Sequence, residues 1–306
     1  LVQFVAERTR LRAGTARRTL REAIETARPA GSLTRQFLMN DSSRYQRELC
    51  SYLAGFLTEH KRELLPRLLL NRTRHITVVV EDIHKEHNAS ACLRSCDCFG
   101  VQDVHIVENF NEYVDNRQVS LGAEKWLTLK RYNEPEADNT TRCLESLREQ
   151  GYRIVMTSPH GATCDLPGYD ASQPTALIFG NEKDGVSDRG RELADEVMRI
   201  PMYGFSESFN ISVAAAVSLN HLVWQMRKLE VLWQLSEDER EDLLLAWVRA
   251  SSGRKLSSLE ELFETTVWDP DKPMDVAELW PDWSQIEPAP QLERGSRRGY
   301  EVLSDR

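Results

Sequence analysis

Three stretches carry side chains whose types and spacing could support chemistry. The first is Ser206-Glu-Ser-Phe-Asn210, set between the apolar run ending at Ile200-Pro201 and the small-residue run Ser212-Val-Ala-Ala-Ala-Val217. It reads as a strand-to-helix corner, where unpaired N–H groups at the start of a helix face outward and can hold a polar ligand. Ala214-Ala-Ala216 has so little side-chain volume that a neighbour can come very close to that helix. The second stretch is Asn88-Ala-Ser-Ala-Cys-Leu-Arg94, preceded by Ile76-Thr-Val-Val-Val-Glu-Asp-Ile83. The third is Leu177-Ile-Phe-Gly-Asn-Glu-Lys-Asp-Gly-Val-Ser187, which presents Glu182 in a Gly-flanked turn. Each also has a plain structural reading. Asn88, Ser208 and Asn210 can be helix caps, Glu182 an exposed turn residue, and Arg94 half of a surface salt bridge.

Other arrangements are weaker. No GxGxxG follows a first strand, which argues against a dinucleotide-binding fold, and Asn181-Glu-Lys-Asp-Gly185 lacks the Gly-Lys-Ser/Thr ending of a phosphate loop. Cys92 and Cys96 are one helical turn apart while Cys98 points elsewhere, so they read as structural thiols. His84 and His87, with Glu81 and Asp82 nearby, find no further ligand pair at zinc spacing, and no metal is expected.

The elements that must position these residues alternate. Strands are expected at Ile76–Val80, Asp103–Glu108, Lys125–Tyr132, Tyr152–Thr157, Thr175–Phe179 and Val197–Ile200. Helices are expected from Asn88, as cap, to Phe99 with Gly100 ending it, over Thr140–Gln150, over Ser187–Ala194, and over 211–233. This order implies an α/β fold with a mostly parallel sheet and helices on both faces. Apolar spacing from Ser43 to Leu70 predicts helices before the sheet. After it, Ser236 with Glu239 and Ser257 with Glu260 read as capping boxes of two more. Residues 270–306 read as mostly irregular.

In order, residue type and context, the three stretches resemble the three motifs of the SpoU/TrmH family of RNA ribose 2′-O-methyltransferases, within the SPOUT superfamily. The resemblance covers about residues 73–235, and His84-Lys-Glu-His-Asn88 resembles the branch that methylates guanosine 18 in the tRNA D-loop. It implies a C-terminal deep trefoil knot (α/β-knot), which no sequence pattern alone would show, and S-adenosylmethionine as cofactor. It implies cofactor contacts at Thr157, Gly180, Ile200, Ser208 and Phe209, and a catalytic set of Asn88, Arg94, Glu182, Ser208 and Asn210. Arg94 either takes the 2′-hydroxyl proton while sharing a hydrogen bond with an RNA phosphate, or stays charged and stabilises the developing alkoxide. Many members have Leu at the place of Phe209 and Gln at the place of Glu207, so Glu207 adds negative charge near a phosphate-bearing substrate. The resemblance further implies tRNA as partner and a homodimer through the knot helices, for which Leu219, Leu222, Val223 and Met226 offer an apolar stripe. Alternatives are 2′-O-methylation of a 23S rRNA nucleotide, or a non-catalytic RNA-binding relative.

Composition sets outer limits. The 306 residues are 41% hydrophobic, enough for a core, and no apolar run is long enough to span a membrane. Six scattered cysteines suit reduced thiols and a cytoplasmic protein. Net charge is −9, so an RNA partner needs a local basic face. Residues 1–38 carry eight arginines against three glutamates, and read as upstream or leader sequence. The expected divisions are 1–38, a helical RNA-binding extension 39–74, the catalytic domain 75–235, and an acidic C-terminal helical extension and tail 236–306.

Overall fold

The computed structural model describes residues 32–114, 116–269, 271–276 and 280–289, with backbone alone for 32–42 and 117. The Arg-rich start, the helix expected over Thr19–Ala27, and the tail beyond 289 lie outside the described residues. The chain divides into two compact units. One combines the described part of Leu1–Leu69 with Ser236–Pro288, and the other is built on Leu70–Leu235.

The first unit opens with helices α1 (Ser32–Ala54) and α2 (Glu59–Leu69). The second is the α/β unit. Its elements in chain order are β1 (Ile76–Glu81), α3 (Glu86–Phe99), β2 (Asp103–Val107), α4 (Arg117–Ser120), β3 (Thr128–Tyr132), α5 (Asn139–Glu149), β4 (Arg153–Thr157), β5 (Cys164–Asp165), β6 (Thr175–Phe179), α6 (Asp188–Leu193), β7 (Glu196–Arg199) and α7 (Ile211–Met226). The chain then returns to the helical unit with α8 (Glu237–Ser252) and α9 (Leu256–Leu262).

The seven strands form one sheet in the order β3-β2-β1-β6-β4-β7-β5, and every pairing is parallel. A parallel sheet is covered on both faces, so its central strands read as continuous apolar runs. β1 shows the alternation directly. Ile76, Val78 and Val80 join the core that includes α3 and α7, whereas Val79 joins the core that includes α5. Gly100 ends α3 at φ 77, where a Cβ would run into the Asn71 carbonyl.

Several expectations need correction. Helix α3 starts at Glu86 with Lys85 as N-cap, so Asn88 lies inside the first turn and caps nothing. Helix α7 stops at Met226 rather than Trp233, and Arg227 turns away to stack over the Trp233 ring at 4.5 Å. Leu219, Leu222, Val223 and Met226 are buried in the chain's own core, so that stripe is not free for a partner. The exposed apolar residues of α7 are Val213, Val217 and Trp224. The two-residue strand β5 was not expected. In the helical unit Ser236 and Glu239 do form a reciprocal capping box, while α9 begins at Leu256 without a side-chain cap. Trp283 is buried there with the Arg240 guanidinium 5.0 Å over its ring.

Candidate active site

The site grows from the C-terminal end of β1, which lies mid-sheet beside β6. Ligand sites of open α/β sheets lie at this end of the strands. Glu81 closes β1 and is 2% exposed. It accepts the Thr140 hydroxyl at 2.5 Å, the Ser187 hydroxyl at 2.8 Å and the Ser187 N–H at 2.9 Å. A buried carboxylate needs such donors; the two from Ser187 pin the loop between β6 and α6, and the one from Thr140 ties Glu81 to α5. That loop turns tightly. Asn181 and Gly185 exchange backbone hydrogen bonds at 3.0 and 3.1 Å, and Gly185 has φ 73. A Cβ on Gly180 would overlap the Gly185 backbone, so only glycine lets the loop fold back on itself. Glu182 is thereby held at the turn.

Three motifs far apart in sequence meet here. The Asn88 amide, 4% exposed, donates to Glu182 Oε1 at 2.5 Å. The Asn210 amide donates to Asn88 Oδ1 at 3.2 Å. Asn210 uses its other end to cap α7, accepting the Ser212 N–H at 2.9 Å. Glu182 Oε2 also accepts the His84 N–H at 3.2 Å. Partial burial pushes the Glu182 carboxyl up, but the hydrogen bonds from Asn88 and from backbone N–H groups outweigh it and hold the group below its ordinary value. The result is a fixed anion at the lip of a cleft.

The cleft has a volume of about 520 Å³, within the usual range for small-molecule sites. Thr157, Gly180, Ile200, Ser208 and Phe209 all line it, together with Asn88, Glu182 and Asn210. Met156, Phe179, Met198 and Ile200 give it apolar walls, and Lys183, Arg191 and His160 bring donors to it. Apolar walls beside charged and amide groups fit S-adenosylmethionine, which joins a flat purine to an amino acid. The Thr157 hydroxyl ties the ends of β4 and β6 together through the Ile178 carbonyl at 2.9 Å.

Arg94 is elsewhere. It shares α3 with Asn88 but is exposed, and it opens into a second cleft of about 560 Å³ with His87, Ser95, Cys98 and Gln118. Six residues along an α-helix amount to about 600°, so the two side chains leave on different faces. Arg94 forms no ion pair or hydrogen bond among the described residues, so the surface salt bridge is absent and its charge is uncommitted. Among the described residues no three His, Cys, Asp or Glu side chains converge as a metal site. All six cysteines are free, and burial pushes Cys92 up to about 12.

Residues 75–220 match the model of the SpoU rRNA Methylase family. The chain is 35% identical over 197 residues to the tRNA (guanosine(18)-2'-O)-methyltransferase of Borreliella burgdorferi, covering 64% of this chain and 88% of that one. The chain belongs to the SpoU methylase family. Another relative, from Thermus thermophilus and of the same name, is 38% identical over 162 residues, covering 53% of this chain and 81% of that one. Among solved structures, that of the Aquifex aeolicus TrmH/SpoU tRNA modifying enzyme aligns with TM-score 0.56 at 29% identity, over 62% of this chain and 95% of that one.

Within this SpoU-family chain, reading the sequence missed the clamp made by Glu81 and the cleft residues Met156, Lys183 and Arg191. An acidic residue ending a buried strand was the available signal for Glu81, since carboxylates are rarely buried without partners.

Proposed function

We propose that this chain is an S-adenosylmethionine-dependent RNA ribose 2′-O-methyltransferase acting on guanosine 18 of tRNA. The observation that carries this reading is the hydrogen-bonded chain Asn210–Asn88–Glu182 beside a cleft lined by all five expected cofactor residues. The names of the relatives support the tRNA substrate. S-adenosylmethionine, when bound, supplies an electrophilic methyl group. Thr157, Gly180, Ile200, Ser208 and Phe209 hold it in the cleft. Asn88 and Asn210 fix the Glu182 carboxylate, which orients the approaching ribose. The Arg94 guanidinium stabilises the negative charge that develops on the 2′-oxygen, while water accepts the hydroxyl proton.

In one chain Arg94 faces the wrong cleft, so the site is completed by a second copy. The homodimer forms on α7, through exposed Val213, Val217 and Trp224. The proposal includes the trefoil knot. The chain leaves β7 near one edge of the sheet and returns to pack α7 on α3, a crossing that suits a threaded connection. Lys61, Arg62 and Arg67 on α2 are the proposed grip on the tRNA phosphates, and the working compartment is the cytoplasm. No described helix is long and apolar enough to cross a membrane.

The test is methyl transfer from labelled S-adenosylmethionine to separated tRNA and rRNA lacking the modification. Label that maps to guanosine 18 of tRNA supports the proposal. Label confined to large-subunit rRNA would keep the chemistry and replace the substrate. Absence of both label and cofactor binding would leave a non-catalytic RNA-binding relative.

A further inference from the structure

We propose that Phe110 is a base-stacking contact for the RNA, packing on a nucleotide next to the one whose ribose enters the cleft. This rests on the RNA-methylating reading above. Phe110 stands 90% exposed in the turn after β2. Large aromatic side chains are more often buried, and their flat faces are the usual platform for splayed-out RNA bases.

The turn that carries Phe110 is held rigidly. The Asp82 carboxylate accepts three successive backbone N–H groups, from Asn109 at 2.7 Å, Phe110 at 2.8 Å and Asn111 at 3.2 Å. The Asn109 amide adds a bond to the other Asp82 oxygen at 3.2 Å, and the Asn111 amide donates to the Asp82 carbonyl at 2.9 Å. Asp82 is 5% exposed and sits at φ 49, in the left-handed region. Such a conformation is uncommon outside glycine and persists where surrounding contacts fix it. Further along, Glu108 accepts the Tyr113 N–H at 2.7 Å, and the Asn116 N–H donates to Ser90 on α3 at 2.9 Å. A ring presented on a pre-ordered turn loses little entropy when it binds.

The same turn is connected to the site. Asn111 Oδ1 lies 3.4 Å from His84 Nδ1, and the His84 N–H donates to Glu182. Phe110 therefore has a fixed place relative to the Asn88–Glu182 pair. It lines neither cleft, which suits it to a flanking base rather than to the reacting nucleotide. Every base has a π-face, so this contact adds affinity without reading sequence.

The test compares the full chain with F110A and F110W on unmodified tRNA, with S-adenosylmethionine binding as the folding control. The proposal expects the F110A KM for tRNA to rise roughly 5- to 150-fold with kcat little changed. F110W should restore KM, and its added fluorescence should change when tRNA binds. Normal methylation of tRNA with an unchanged KM for F110A would overturn the proposal and leave the methyltransferase reading intact. A change in oligomeric state instead of KM would also overturn it, because the ring would then serve a protein contact. Should wild type methylate no RNA, the methyltransferase reading fails by itself. An unchanged tRNA Kd for F110A in direct titration would then overturn the stacking contact as well.

Discussion

Asn88 and Glu182 are 94 residues apart in sequence and 2.5 Å apart in space. Asn88 is locked in the first turn of α3, and Glu182 is locked in the loop that Glu81 pins after β6. The bond therefore joins the start of a helix to a loop at the centre of the parallel sheet. Asn210 adds the N-terminus of α7 as a third member. The function of this region depends on two helix starts and one loop keeping a single arrangement.

Asn88→Ala should leave Glu182 and Asn210 without their shared partner. A small displacement of a catalytic group can lower a rate by as much as ~10²-fold. The expected outcome is a kcat reduced by at least ~10-fold, with a stability loss of about 1–3 kcal/mol from the buried amide. Urea unfolding and steady-state methylation measure the two effects separately.

Arg94→Ala should fold normally, because the side chain is exposed and uncommitted. Methyl transfer should fall by ~10²–10³-fold, as when one oxyanion donor is removed. Arg94→Lys should not restore it, since an ammonium lacks the guanidinium fork. If a second copy supplies Arg94, refolding a mixture of the Arg94→Ala and Asn88→Ala chains should recover activity that neither has alone. Failure to recover any would argue that Arg94 acts within its own chain.

Glu182 gives a signed pH prediction. Its folded carboxyl lies below its ordinary value, so its contribution to holding the loop is present above the unfolded titration range and is lost as pH falls through the folded value. Carbon-detected NMR titration should place the Glu182 midpoint below the ordinary value of about 4.3. Asn88→Ala should move the midpoint upward. A midpoint above the ordinary value in the wild type would contradict the hydrogen-bonded arrangement.

His105 acts in a different pH window. It is 1% exposed on β2, and burial, with Lys130 nearby, pushes it from 6.5 down to about 4. The unfolded chain therefore binds the extra proton first as pH falls. Stability should be complete above about pH 6.5 and should decline by ~3 kcal/mol down to about pH 4, below which both states are protonated and the decline stops. His105→Gln should flatten stability over that window, as read by denaturant unfolding at a series of pH values.

Gly180→Ala should force the Gly185 backbone away, because the added methyl group has no space. Overpacking of this kind destabilises by about 1–3 kcal/mol. Calorimetric binding of S-adenosylmethionine should weaken with it, since the displaced loop lines the cleft.

Much of this architecture was readable because local pattern and tertiary role agree. Ile76–Val80 is β-branched and buried on both faces, and it is a strand for both reasons. The parts that misled are those where one residue type serves two purposes. Asn88 is of the type that caps helices, but here its amide is used across the fold and Lys85 takes the boundary. Leu219 and Leu222 are apolar at helical spacing, as an interface would be. α7 is apolar on opposite faces, so the pattern alone does not say which face the chain itself buries. Cys164–Asp165 is too short to show any alternation. The separation of Asn88 from Arg94 follows from helical geometry, but only coordinates show that each face opens on a different cleft.

Transfer of a methyl group to a ribose oxygen leaves a modified nucleoside that can be detected directly. Unmodified tRNA is incubated with the purified chain and S-adenosylmethionine, digested to nucleosides, and analysed by mass spectrometry. 2′-O-Methylguanosine should appear with the wild type and be lost with Arg94→Ala. A methyl group on a base, or none on tRNA while the cofactor is bound, would contradict that transfer.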